Sequence, residues 1–144
     1  MPLRALSLAA LMSGGAAAFT LPTVSGVPWS LAQALGRERV LILVNPPAAS
    51  LAALRAQDTA LQVYDLRVVA LLPPGDPRLR GGTQMLTLLA DKGGVVGRQY
   101  APAALIGKDT GVKARYRALP TLKTVLALID TMPMRQQERQ ERGQ

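Results

Sequence analysis

The 144-residue sequence has no cysteine, no histidine, and only five aromatic residues: one Trp, three Tyr and one Phe. Without a thiol there is no disulfide, no thiolate nucleophile and no electron transfer through sulfur. Without an imidazole, His-based acid-base catalysis and the common zinc sites are excluded as well. The aromatics Phe19, Trp29, Tyr64, Tyr100 and Tyr116 do not interleave with basic residues as a stacking platform would, which disfavours nucleic acid as a partner. Acidic residues are also scarce, nine against seventeen Lys plus Arg, giving a formal charge of +8. Such an excess concerns association with anionic partners rather than fold. No GxxxxGK[ST] phosphate loop occurs, and Gly93-Gly94-Val95-Val96-Gly97 lacks GxGxxG spacing and reads as a turn.

Long apolar runs are missing too. The longest, Ala5 to Met12, follows Arg4 and leads through Gly14-Gly15 to Ala16-Ala17-Ala18. It is too short for a membrane span of roughly 20 residues and has the three-part layout of a signal peptide. The expectation is cleavage after Ala18, removal of residues 1–18, a periplasmic or secreted product and no transmembrane segment after cleavage. Residues 19–36, containing Pro22, Gly26 and Pro28, are expected as an extended leader anchored by Trp29.

Val40 to Val44 is continuously apolar and ends at Asn45-Pro46-Pro47, as suits a strand buried on both faces. Ser50 to Leu61 has helical spacing, with Ser50 the expected N-cap. Leu66 to Leu72 is a second strand, completing a β-α-β unit. Met85, Leu86, Leu88 and Leu89 fit a short helical window. Ala103 to Ile106 and Val112 to Tyr116 read as a hairpin, and Leu122, Val125, Leu126, Ile129 and Met132 as an amphipathic helix stopped near Pro133. Residues 133–144 form a polar tail expected to fray. The sum is an α/β chain, β-α-β-α-β-β-α, the element order of a thioredoxin-like three-layer sandwich with a C-terminal hairpin and helix. Pro102 stands where such folds place a cis-proline.

Leu105-Ile106-Gly107-Lys108-Asp109 with Gly111-Val112-Lys113, followed by Leu128-Ile129-Asp130 and Met132-Pro133-Met134-Arg135, resembles the family called domain of unknown function 4174, over roughly residues 37–139. The resemblance implies a thioredoxin- or peroxiredoxin-like fold, commonly exported, with no established activity. It also implies a second glycine in the hairpin turn, where this chain has Thr110. Pro102, Gly107, Asp109, Gly111, Asp130 and Pro133 are the candidate structural-motif residues. Asp130 is expected to pair with Arg135.

A thioredoxin-type redox site would sit after the first strand at a helix N-terminus. This chain has Asn45-Pro46-Pro47-Ala48-Ala49 there, so no catalytic residue, metal ligand or cofactor is nominated. Lys113, Arg115 and Arg117 alternate along the second hairpin strand and share a face. With Lys108 and Arg135 they form a candidate basic surface for an anionic surface or an acidic protein of the cell envelope. The same alternation also protects an edge strand from pairing with other chains. The reading is an exported, non-catalytic binding or structural module; the alternative is a peroxiredoxin-related stress-protective factor or enzyme lacking the usual cysteines.

Overall fold

The computed structural model describes residues 18–143. The signal-peptide reading therefore lies, but for Ala18, outside the described residues. Strand β1 (Thr20–Pro22) pairs antiparallel with β2 (Pro28–Ser30), so the leader folds back into a small hairpin. Strand β3 (Arg39–Val44) follows, then helices α1 (Ala48–Ala56) and α2 (Asp58–Val63), strands β4 (Leu66–Leu72), β5 (Leu86–Ala90), β6 (Ala103–Ile106) and β7 (Val112–Tyr116), and helices α3 (Leu122–Asp130) and α4 (Pro133–Arg142). The main sheet runs β5-β4-β3-β6-β7. β3, β4 and β5 are parallel, whereas β6 and β7 are antiparallel to their neighbours.

The continuous apolar run at β3 is explained by what each face meets. Leu41 and Leu43 point to a core shared with Leu51 and Leu54 of α1, Leu61 of α2, and Val125 and Ile129 of α3. Val40 and Ile42 point the other way, to Leu31, Ala34, Val69, Leu89 and Tyr100, with Phe19, Leu21 and Trp29 packed against them. Helices cover one face, and the leader hairpin with short 3-10 turns covers the other. The Phe19 ring lies 6.3 Å from Trp29 and 6.0 Å from Tyr100 between centroids. Its carbonyl accepts the Leu31 N–H at 3.0 Å.

Three local readings are corrected. The helix expected at 85–89 is strand β5: Leu86 and Leu88 enter one core and Leu89 the other, a period of two that the parallel register against Val68 to Leu72 imposes. A short apolar run does not separate helix from strand by itself, and the free side of β4 decided it. Ser50 is not the N-cap. Pro47 takes that place with extended φ −67° and ψ 158°, and the alanines after it enter the helix at once. The tail is ordered as α4, with Pro133 at its first turn and Gly143 in a left-handed C-cap at φ 70°.

The hairpin turn holds its one departure from the expected glycine pattern in a costly place. Thr110 has φ +71°, where a β-branched residue is strained and glycine is not. Thr110→Gly is therefore expected to stabilise the domain by about 0.5–1 kcal/mol, after the extra entropy of the unfolded glycine is offset. Urea unfolding at constant slope would show it; a lower midpoint would mean that the Thr110 side chain makes up the difference.

Candidate functional site

Two places on the fold bear on function. The first is the loop after β3. Asn45 turns the chain with φ +52°, its N–H bonded to the Leu71 carbonyl at 2.8 Å. The Val44 N–H bonds to the carbonyl of Pro102 at 2.9 Å, and the Ala101-Pro102 peptide, at the place where thioredoxin-like folds carry a cis-proline, is cis. Arg78 then fixes the loop from the side. Its guanidinium donates to the Pro46 carbonyl at 2.7 Å and to Asn45 Oδ1 at 2.7 Å, and holds Asp76 through Nε at 2.9 Å and Nη2 at 2.8 Å. The Arg78 side-chain and backbone hydrogen bonds hold the Asp76 carboxyl down at a pKa of about 2. No proton-transfer or nucleophilic group lies on Asn45, Pro46 or Pro47, and the neighbouring Asp76 and Arg78 are locked in an ion pair.

Beside this loop, α1 and α3 flank a groove of about 950 Å³ floored by Leu41 and Leu43 and including Ser50. Its walls are largely alanine and leucine.

The second place is the corner where β3 begins. Arg39 is 1% exposed. It donates to the Tyr64 carbonyl at 2.9 Å and forms a two-pronged pair with Glu138 at 3.2 and 3.3 Å. Lys108 bridges Glu138 and Asp65, the latter at 2.9 Å. Arg142 also reaches Asp65, at 3.1 Å. Arg135 lies over the Tyr64 ring, 4.3 Å from its centroid, and stands 3.7 Å from Asp130, whose other oxygen accepts the Tyr64 hydroxyl at 3.0 Å. Burial pulls the Glu138 and Asp65 carboxyls upward, but their cationic partners outweigh it and hold both below the ordinary carboxylate range.

The five cations of the candidate basic surface thus divide. Arg135 is 3% exposed and the Lys108 side chain 12%, both built into this network. Lys113 and Arg115 on β7, the outermost strand, and Arg117 just after it are exposed. Lys113 pairs with Asp109, and Arg115 donates to the Gln99 carbonyl at 2.7 Å. Asp109 also accepts the Gly111 N–H at 3.0 Å, as a turn residue would. Gly107 permits a close approach: a Cβ there would meet Lys113 Cε at 2.6 Å and Asp109 Oδ1 at 3.0 Å. Arg39, Asp65, Tyr64, Glu138 and Arg78 were not nominated from sequence. A charge set directly against Val40–Val44 was the one available signal for Arg39.

Lys108 and Asp109 of the first family-like stretch and Met132, Pro133 and Met134 of the second line one cavity, of about 320 Å³, so two segments distant in sequence meet at one corner. A family model described as a domain of unknown function, DUF4174, matches residues 30–138. The chain belongs to the DUF4174 family. No curated protein matches the sequence. The DUF4174 fold is shared with solved redox proteins. It is similar to the mitochondrial 2-Cys peroxiredoxin of Plasmodium falciparum at 13% identity, over 81% of this chain and 90% of that one, with a TM-score of 0.64. It is similar to a putative thioredoxin from Neisseria meningitidis at 25% identity, over 81% and 87%, TM-score 0.60. The pneumococcal exposed lipoprotein thioredoxin of Streptococcus pneumoniae aligns at 19% identity, over 81% and 100%, TM-score 0.60. In this DUF4174 chain the fold carries no cysteine. No helix among the described residues is long and apolar enough to cross a membrane.

Proposed function

We propose that this DUF4174 chain is an exported, non-catalytic binding module that works by contact, with the basic β7 edge as its meeting surface for an anionic partner in the cell envelope. The observation that carries the reading is the loop after β3. In a thioredoxin-like fold a redox thiol belongs there, and here Asn45-Pro46-Pro47 is tied down by Arg78, whose donors are used in structural bonds. What such a scaffold still offers is surface. Lys113 and Arg115 stand two residues apart on an outermost strand, roughly 7 Å by strand geometry, and Arg117 follows directly after its end. Their charge also discourages a second chain from pairing with that edge.

Salt-dependent retention on an immobilised polyanion tests the proposal. The double variant Arg115→Glu, Arg117→Glu is expected to elute at markedly lower salt than the wild type, since reversing two exposed charges removes contacts without disturbing the core. Unchanged elution would reject the β7 surface. Peroxide consumption by the purified chain would reject the non-catalytic reading.

A further inference from the structure

The cavity at the corner holds more hydrogen-bond donors than its carboxylates consume. It is lined by Arg39, Lys108 and Lys113 and by the junction of α3 and α4, including Pro133 and Met134. The ammonium of Lys108 has three donors and two carboxylate partners, Asp65 and Glu138. Lys113 has three donors and, among the described residues, Asp109 as its carboxylate partner. Arg39, with its side chain 1% exposed, leaves Nε without a hydrogen-bond partner although both terminal nitrogens are bonded. A buried donor left over in an otherwise satisfied guanidinium is an exception that calls for a partner.

The helix side of the cavity has the same sign. α4 has ten residues, no side-chain cap and no acidic residue in its first turn, so its N-terminus is not neutralised locally. Pro133 contributes no N–H, which makes the Met134 N–H the first donor of the helix. Asp109 is the carboxylate in the lining and is engaged by Lys113, while Glu138 is engaged by Lys108.

We propose that this cavity is an oxyanion site that takes a phosphate group, held between Lys108, Lys113 and the Met134 N–H, with the buried Arg39 guanidinium adding its charge from the cavity lining. The proposal deepens the reading of this region as an anion-contacting surface; it shares Lys113 with the β7 face but does not use Arg115 or Arg117. A phosphate group can come from free phosphate or from a phospholipid headgroup, and the chemistry that holds it is the same.

Titration of the full described chain with inorganic phosphate, followed by amide chemical shifts, should give saturable changes centred on Lys108 and Met134. Lys113→Gln, a substitution on an exposed side chain, should weaken the phosphate affinity about tenfold by removing one charge-assisted contact. Lys108→Gln should weaken it at least as much, and near-ultraviolet dichroism establishes that each variant is folded. Arg115→Glu with Arg117→Glu should leave it unchanged while lowering polyanion retention, which separates this site from the β7 surface. Vesicles of equimolar phosphatidylglycerol and phosphatidylcholine supply the second arm. Retention that free phosphate competes away assigns the headgroup as the source; saturable phosphate shifts without vesicle retention assign free phosphate. Non-saturable shifts, or an adventitious ion only, seen as shifts that folded Lys113→Gln leaves untouched, would overturn the proposal.

Discussion

Glu138→Ala is expected to lower the unfolding free energy by about 3 kcal/mol or more, an unusually large effect for a residue in a polar C-terminal segment. The cause is what it leaves behind. Arg39 is buried in the sheet and loses both its carboxylate oxygens, while Lys108 loses one of two anions. Removing one member of a buried pair strands the other charge away from water, whereas replacing both by apolar residues of similar size is often neutral. The double variant Arg39→Met, Glu138→Leu should therefore recover most of the loss in a urea-unfolding cycle. The pH dependence has a definite sign. Glu138 and Asp65 are held below their ordinary values in the folded chain, so their contribution is complete above the unfolded carboxylate range near 4 and is lost as pH falls through the lower folded values. Wild-type stability should drop on acidification below about pH 5, and Glu138→Ala should drop less steeply. A cost below about 1 kcal/mol, or parallel pH curves, would mean that the network is decoration on an already stable corner.

The second large effect concerns the other end. A chain beginning at Leu31 lacks Phe19, Leu21 and Trp29, which pack on the sheet face formed by Val40, Ile42, Val69 and Leu71. At about 1.5–3 kcal/mol for each large apolar side chain, the loss approaches the whole stability of a typical domain. Such a chain is expected to lose its cooperative thermal transition or to associate through the bared face. Trp29→Ala alone, at a partly buried position, should cost about 3 kcal/mol and keep the transition. An unaltered midpoint in the shortened chain would show that the hairpin rests on the sheet without supporting it.

How much of this was legible follows from the range of the forces involved. Leu66–Leu72, Ala103–Ile106 and Val112–Tyr116 are strands with the bounds their composition indicated, because both their flanking turns and their apolar content are local. Leu86–Ala90 is not legible as a strand because its five residues satisfy either period, and only the unpaired side of β4 selects one. The leader was legible as extended and anchored by Trp29, but not as the cover of an entire sheet face. That role depends on the second face of β3, which β5 and the 3-10 turns leave for it. The corner was the least legible. Arg39 and Glu138 are 99 residues apart, and a helix with no apolar stripe gives no hint that one of its carboxylates belongs inside. The exposure of Lys113, Arg115 and Arg117 follows directly from alternation through β7 and the residue after it, while the inward fate of Lys108 and Arg135 depends on α4, a segment whose polar composition predicts fraying.

The separation of Arg39 from its counter-ion also orders events in time. During synthesis the central strand emerges with an arginine that the closed sheet must bury, and the carboxylate that neutralises it is made 99 residues later. A nascent or prematurely terminated chain lacking Glu138 therefore meets an electrostatic penalty as its sheet closes. The sheet therefore closes without that penalty only once α4 is available to seat its carboxylate against β3.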